Sequence, residues 1–163
     1  MRTIPMWVVL LFMSPVKAAP QAAIGSMAPH FAVTSQDGKM IQLSNYKGRV
    51  VLLDFWATWC GGCKKEIPWY MQFQFEYGEQ GLTAIGVSTD EEGWQKVKPF
   101  LATHAVNYPI VVANKQIASA YKISEMPVTL LIDRSGKIAA WHVAMVNKDA
   151  FEKQLQALLA QSN

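Results

Sequence analysis

The chain has 163 residues, of which 51% are apolar and 17% are charged, a composition typical of one globular domain rather than of a disordered chain. Its formal net charge is +3, but Arg2 and Lys17 lie in the N-terminal segment, and the rest of the chain carries 13 basic against 12 acidic side chains. That near-neutral remainder has no cluster of Lys and Arg, which argues against nucleic-acid binding, and two cysteines are too few for a disulfide-rich secreted scaffold.

The N-terminal segment has the pattern of an export signal. Arg2 precedes an apolar run over 4–16, and Val16-Lys17-Ala18 fits a small-x-small cleavage site. The apolar run is shorter than the roughly 20 residues that span a bilayer. We therefore expect residues 1–18 to be a cleavable signal peptide, cleaved after Ala18 or one residue later, and the protein to be periplasmic. The alternative is that the segment is retained as an N-terminal membrane anchor.

The region from 24 to 163 is expected to form one domain. Its first predicted element is a β-hairpin over 31–43, with Asp37-Gly38 as the turn. The continuous apolar run VVLLDF (50–55) indicates a strand covered on both faces. A helix is predicted to follow over 60–77.

The second half of the chain continues the alternation of strands and helices. The order ββ, then βαβα, then ββα predicts an α/β fold: a mixed central sheet with helices on both faces and an N-terminal hairpin. Such crossovers place ligand chemistry at the carboxyl ends of strands, where Cys60 lies. The remaining predicted elements are a strand at 81–89, helices at 91–104 and 117–122, a hairpin of strands at 129–133 and 137–143, and a helix at 148–161.

Both cysteines of the protein, Cys60 and Cys63, lie two residues apart, and this spacing allows three interpretations. A zinc site needs about four ligands, and His30, His104 and His142 are far apart in the sequence. A purely structural disulfide that closes so short a loop would stabilise the fold little. Thiol-disulfide exchange is the third interpretation and the one that the spacing favours.

Exchange chemistry suits a pair of cysteines at the start of a helix. Unpaired N–H groups and the helix dipole would stabilise a thiolate on Cys60. Cys63 would lie on the same helical face one turn deeper, where it can resolve a mixed disulfide. Gly61 and Gly62 leave room for a partner chain to approach.

Two acidic residues flank the pair. Asp54 lies inside the predicted buried strand, where a carboxylate is costly unless it has a partner or a role. Burial would raise its pKa, so that it can accept a proton from Cys63; the alternative is a structural aspartate that reaches solvent or is hydrogen-bonded. Glu66 lies three residues beyond Cys63. It is either a second acid that adjusts the reactivity of the cysteine pair or relays protons, or it is an exposed surface acid.

The segment DFWATWCGGC (54–63) resembles the active site of the thioredoxin superfamily. The resemblance implies that Cys60 is the nucleophile, that Trp59 lies on the exposed recognition surface and that Asp54 is the proton acceptor. The segment MPVT (126–129) is similar to the cis-proline loop of that superfamily. It implies that Pro127 packs against the cysteine pair, with Gly61 and Gly62 nearby, and that the backbone of Met126 pairs with a bound peptide.

Within the superfamily the chain is most similar to the exported TlpA/ResA-like group, through IGSMAPHFAV, the stretch leading to DFWATWC, and CKKEIP. In that group a glutamate at the position of Glu66 lines the active-site cavity. Members are periplasmic or membrane-anchored reductants, often serving cytochrome c maturation. The resemblance implies a client protein with thiols or a disulfide, a membrane-bound electron donor, a monomer, and no cofactor or metal beyond the redox-active disulfide Cys60–Cys63.

The sequence departs from these relatives at three places. Gly61-Gly62 stands where many relatives have proline as the second residue. Asp54 is the thioredoxin residue, whereas some cytochrome-maturation relatives have a neutral residue there. Ala144 stands where thioredoxins have glycine, which would narrow the substrate groove. Two rival functions stay open. A peroxiredoxin would have a Thr-x-x-Cys loop, whereas Thr58 is two residues before Cys60. A copper chaperone would hold Cu(I) through the two thiolates.

Overall fold

The computed structural model describes residues 22–161, so the predicted signal peptide (1–18) lies outside the described residues. Within this range no helix is both long enough and apolar enough to cross a membrane. The elements in chain order are β1 (Ala32–Thr34), β2 (Met40–Gln42), a 3-10 turn (Leu43–Tyr46), β3 (Val50–Trp56), α1 (Gly61–Tyr77), β4 (Leu82–Ser88), α2 (Trp94–Thr103), β5 (Ile110–Val112), α3 (Lys115–Tyr121), β6 (Val128–Ile132), β7 (Ile138–Val143) and α4 (Lys148–Leu159).

Strand β3 lies at the centre of a five-stranded sheet of order β5-β4-β3-β6-β7. It runs parallel to β4 and antiparallel to β6, and β4 also pairs in parallel with β5, while β6 and β7 are antiparallel. Strands β1 and β2 form a separate antiparallel hairpin. The predicted mixed sheet and N-terminal hairpin are confirmed.

The two faces of β3 belong to two apolar clusters. All seven of its residues are buried, as the unbroken apolar run predicts. Val50, Leu52 and Trp56 pack in a cluster with α1, α2 and α4, whereas the intervening residues pack in a second cluster with α3 and the N-terminal hairpin. Because side chains alternate along a strand, Asp54 points toward the α1 side, between Leu52 and Trp56. The expectation of helices on both faces is confirmed.

The predicted elements differ from the structure in three places. Strand β5 (Ile110–Val112) was not predicted, because three residues at a sheet edge are too short to show a periodic pattern. Helix α2 begins at Trp94 rather than at 91, since Gly93 has a positive φ of 56° and cannot continue a helix in that conformation. Helix α3 begins at Lys115 rather than at 117, where the Asn114 side chain caps the helix by accepting from Ile117 N.

Candidate active site

Cys60 lies between the carboxyl end of β3 and the first turn of α1. It is the N-cap residue of that helix, and its Sγ accepts a hydrogen bond from the backbone N–H of Cys63 at 3.1 Å. The two cysteines form a disulfide. Cys60 is 6% exposed and Cys63 is fully buried. A partner can therefore approach the sulfur of Cys60 first, and the helix N-terminus stabilises a thiolate there.

The loop that carries Cys60 is held by a buried aspartate, Asp90, which follows β4. Thr58 donates two hydrogen bonds to this carboxylate, from its hydroxyl at 2.6 Å and from its backbone N–H at 3.0 Å. The hydroxyl of Ser88 donates a third at 2.9 Å. These contacts fix the backbone two residues before Cys60, and nothing in the sequence pattern indicated them.

The peptide bond between Met126 and Pro127 is cis, as the resemblance implied. Pro127 lies against the first turn of α1: a Cβ added to Gly62 would be only 3.3 Å from the Pro127 Cδ atom, whereas one added to Gly61 would meet nothing within 4 Å. Gly62 thus permits the close approach of the proline loop, and Gly61 faces open space. Met126 is half-buried beside the pair.

Three exposed apolar side chains, termed the apolar rim, lie next to Cys60 in the chain or at the end of β7, where the backbone bonds the cis-proline loop. Trp59 is 67% exposed, in agreement with its predicted place on the surface, and Val143 and Met145 are about half exposed. Between the last two, Ala144 has a φ of +64° and donates its N–H to the Pro127 carbonyl at 2.9 Å. The rim is therefore tied to the cis-proline loop by a backbone hydrogen bond.

Asp54 lies in the middle of the sheet and is 1% exposed. Its neighbours in register are Gly86 on β4 and Thr129 on β6. Neither carboxylate oxygen has a hydrogen-bond partner among the described residues. Burial, and secondly the negative charge of Glu66, raise the pKa of Asp54 well above its usual value. The carboxyl therefore does not reach solvent and is not paired with another described residue.

Glu66 is fully buried, so the alternative of an exposed surface acid is wrong. Its Oε1 accepts a hydrogen bond from the backbone N–H of Val146 at 2.7 Å, and its Oε2 has no partner among the described residues. Burial raises the pKa of Glu66, and the hydrogen bond from Val146 partly offsets that rise. The burial comes from the loop before α4, which covers the helix face that carries Cys63.

Two buried tyrosines lie in the same cluster as Cys63, and no sequence pattern indicated either of them. The hydroxyl of Tyr70, on α1, pairs with Thr129 Oγ1 at 2.8 Å. Tyr108 precedes β5, and its hydroxyl has no partner within residues 22–161. Burial, with smaller contributions from the charges of Asp54 and Glu66, raises the pKa of both tyrosines well above the usual value. Both hydroxyls therefore remain protonated.

The histidines weighed as metal ligands lie apart. His142 Nε2 contacts Gln154 Oε1 at 2.9 Å, and the ring of His104 stacks on Phe100. Across residues 22–161 there is no group of three or more His, Cys, Asp or Glu side chains placed to hold a metal ion.

A family model described as the AhpC/TSA family matches residues 24–141. The chain belongs to this family. It is 34% identical over 136 residues to thiol-disulfide oxidoreductase ResA of Bacillus cereus, covering 83% of this chain and 78% of that protein. It is 40% identical over 116 residues to ResA of Bacillus subtilis, covering 70% of this chain and 64% of that protein.

A solved structure gives the same result for the fold. A protein from Chlorobium tepidum, provisionally described as thiol:disulfide interchange protein DsbE, superimposes with a TM-score of 0.80 and 34% identity, over 86% of this chain and 100% of that one. The thioredoxin-like fold and the resemblance to ResA-like proteins are thereby confirmed. The chain is a thiol-disulfide oxidoreductase with the cysteine pair Cys60–Cys63.

Proposed function

We propose that this oxidoreductase is an exported reductant that breaks a disulfide bond in a client protein, with Cys60 as nucleophile, Cys63 as resolving thiol and Asp54 as proton acceptor. One observation carries the proposal: the carboxyl of Asp54 is buried, on the sheet face that packs against Cys63, and has no partner among the described residues. A buried thiol must lose its proton before it attacks, and a carboxyl whose pKa is raised is a suitable base near neutral pH.

The first step begins with the reduced protein. The thiolate of Cys60 attacks one sulfur of the client disulfide, the client S–S bond breaks, and a mixed disulfide forms. The departing client sulfur takes a proton from solvent. The apolar rim of Trp59, Val143 and Met145 contacts the client, and the backbone of Met126 beside Pro127 pairs with its extended chain.

The second step closes the disulfide seen in the structure. The thiol of Cys63 gives its proton to Asp54, and the resulting thiolate attacks the sulfur of Cys60. The mixed disulfide breaks, and the client sulfur leaves and is protonated. The client has gained two electrons and two protons, and the protein holds the disulfide Cys60–Cys63. Glu66 tunes this step through its charge, which disfavours ionisation of Asp54.

The oxidised protein must be reduced again, and we propose that a membrane-bound thiol donor supplies the electrons. The export pattern at 1–18 would place the protein with such a donor in the periplasm, either released or held by the retained segment, and as a monomer. A disulfide in a haem-attachment Cys-x-x-Cys-His segment, as in cytochrome c maturation, is the client class that we would test first. N-terminal sequencing of the exported protein distinguishes cleavage after Ala18 or Ala19 from retention.

Trapping tests the roles of the two cysteines. The Cys63→Ser protein, reduced and mixed with an oxidised Cys-x-x-Cys-His peptide, should accumulate a mixed disulfide through Cys60, and Cys60→Ser should form none. The reverse pattern, with trapping by Cys60→Ser alone, would exchange the two roles. Asp54→Asn should slow release of the reduced peptide about 10²-fold while formation of the mixed disulfide changes little. Equal slowing of both steps would remove Asp54 as proton acceptor.

A further inference from the structure

The buried polar atoms without a hydrogen-bond partner are concentrated in one place. Among the described residues they come from four side chains: both oxygens of Asp54, Oε2 of Glu66, the indole Nε1 of Trp56 and the hydroxyl of Tyr108. All four side chains are at most 3% exposed. Buried polar groups are nearly always paired in folded proteins, with protein atoms or with ordered water. A cluster of this kind therefore points to a ligand with hydrogen-bonding capacity on several sides.

The backbone register explains why three of the four groups meet. Asp54 lies opposite Gly86 on the neighbouring strand. A Cβ added to Gly86 would be 2.5 Å from Ile110 Cδ1, 3.1 Å from Trp56 Nε1 and 3.3 Å from Tyr108 Cε2. The indole N–H, the tyrosine ring and the end of the Ile110 side chain thus occupy the space that a side chain on Gly86 would fill, directly beside Asp54.

Tyr108 is held firmly in that position. The N–H of Gly86 donates to the Pro109 carbonyl at 2.9 Å. From the N-terminal hairpin, the side-chain amide of Gln36 donates to the Tyr108 carbonyl at 3.3 Å and accepts from Ile110 N at 2.7 Å. The backbone that carries Tyr108 is therefore fixed on both sides of Pro109, and its side chain is buried.

The donors and acceptors in the cluster are complementary. Trp56 Nε1–H and the Tyr108 hydroxyl are donors, and the two carboxyl groups supply three acceptor oxygens. A buried water makes about three hydrogen bonds to groups of this kind. The titratable groups that face Asp54 are Glu66, Tyr70 and Cys63 from α1, and Tyr108 from the segment before β5. Gly86 on β4 and Thr129 on β6 do not titrate.

We propose that Trp56 and Tyr108 bind a buried water against the Asp54 carboxylate, and that the Tyr108 hydroxyl thereby acts as a positioning residue that stabilises the charged form of Asp54. The consequence for catalysis rests on the proposed function of Asp54: the thiol proton of Cys63 moves to the Asp54 carboxylate, whose charged form this water stabilises. Because a donor to a carboxylate favours its charged form, loss of the hydroxyl makes Asp54 a base only at higher pH.

Tyr108→Phe removes the hydroxyl alone and tests the proposal. The titration of the Asp54 carboxyl can be followed in the oxidised protein by NMR of the labelled side chain. We expect its midpoint to move to higher pH, at a proton concentration about tenfold lower than in wild type. Formation of the mixed disulfide through Cys60 should keep its rate. The matched control is Tyr121→Phe, which deletes a buried hydroxyl on the opposite face of the sheet, where it donates to the Pro29 carbonyl. A Tyr108→Phe titration within threefold of wild type would overturn the proposal.

A second measurement needs no variant. In a crystal structure of the oxidised wild-type protein we expect an ordered water within hydrogen-bond distance of both the Tyr108 hydroxyl and an oxygen of Asp54. A well-defined cluster without that water would contradict the proposal even if Tyr108→Phe failed to fold. The proposed function fails separately, since it depends on whether Asp54→Asn slows the second step more than the first.

Discussion

The backbone N–H of Val146 donates a hydrogen bond to Glu66 Oε1 at 2.7 Å, so that the loop before α4 holds the carboxyl of an active-site helix residue. This contact satisfies one oxygen of a fully buried acid, and the other has no partner among the described residues. Glu66 lies one helical turn beyond Cys63, and its charge is the second largest cause, after burial, of the raised pKa of Asp54. The loop therefore fixes the position of Glu66, whose negative charge raises the pKa of Asp54.

Replacing Glu66 by Gln should move the second step to lower pH. Gln keeps an oxygen that can accept from Val146 N but removes the negative charge, so the pKa of Asp54 falls and more of it is ionised under acidic conditions. Single-turnover release of the reduced client from the mixed disulfide should become at least about threefold faster on the acid side, since one pKa unit is a tenfold change in the ionised fraction. Glu76→Gln, exposed on the same helix, should leave the profile unchanged. A shift to higher pH would mean that Glu66 relays protons instead.

Asp54→Asn should stabilise the oxidised protein increasingly as pH rises. In the unfolded chain Asp54 loses its proton near pH 3.8. In the folded chain its pKa lies well above that value, so the proton is retained to higher pH. Stability from this group is therefore present below 3.8 and is lost as pH rises toward the folded pKa, by about 1.4 kcal/mol for each unit of separation. Urea unfolding at pH 4, 6 and 8 measures the difference between variant and wild type.

The control for that series is Asp149→Asn, in the exposed first turn of α4. Its side chain is exposed, so this variant controls for the loss of a carboxyl outside the buried site. An Asp54→Asn difference that stays constant with pH would contradict the buried, raised-pKa carboxyl.

Gly61→Ala and Gly62→Ala should differ although they are adjacent. Alanine favours a helix over glycine by up to about 1 kcal/mol, and Gly61→Ala should gain part of that because its Cβ meets nothing. In Gly62→Ala the new Cβ would press on Pro127, so we expect it to be about 1 kcal/mol less stable than Gly61→Ala and to reduce the client more slowly. Chemical denaturation of both oxidised variants makes the comparison, and equal stabilities would show that the contact with Pro127 imposes no constraint.

Ala144→Gly should raise the free energy of unfolding by about 0.5–1 kcal/mol. Ala144 has a φ of +64°, a conformation that costs an L-residue roughly 1–2 kcal/mol, and part of the gain is offset by the greater freedom of glycine in the unfolded chain. Ala140→Gly, on β7 and paired in register with Leu131 on β6, should instead lose at least about 0.5–1 kcal/mol. The same sign for both variants, measured by urea unfolding, would refute the strain at Ala144.

The central strands and the terminal helix were predictable because their patterns are long. The apolar run at 50–55 indicated a buried strand, and its Asp54 was conspicuous there. Strand β5 was not predictable, because Ile110–Val112 is defined by pairing with β4 and by the Gln36 side chain from the hairpin rather than by its own sequence. The contacts of such a short segment come from residues distant in the chain.

The candidate site likewise has residues that the sequence indicated and residues that it did not. The Cys-x-x-Cys spacing and the position after a strand indicated Cys60 and Cys63. Spacing could not decide whether Glu66 is buried, because the cover comes from Val146, 80 residues away in sequence. Tyr108 was missed because its side chain reaches Asp54 only through the register of β4 and β5. Sequence patterns thus located the reactive groups, and long-range packing determined the environment that sets their pKa values.

The reduction potential of the Cys60–Cys63 pair tests the proposed role as a reductant most directly. Equilibration of the purified protein with glutathione redox buffers, with the free thiols counted by alkylation and mass spectrometry, gives that value. We expect a potential close to the roughly −270 mV of thioredoxin, at which the protein donates electrons to a client disulfide. A potential near about −120 mV, the value of the strong oxidant DsbA, would mean that electrons flow from the client to the protein and would contradict the proposed function.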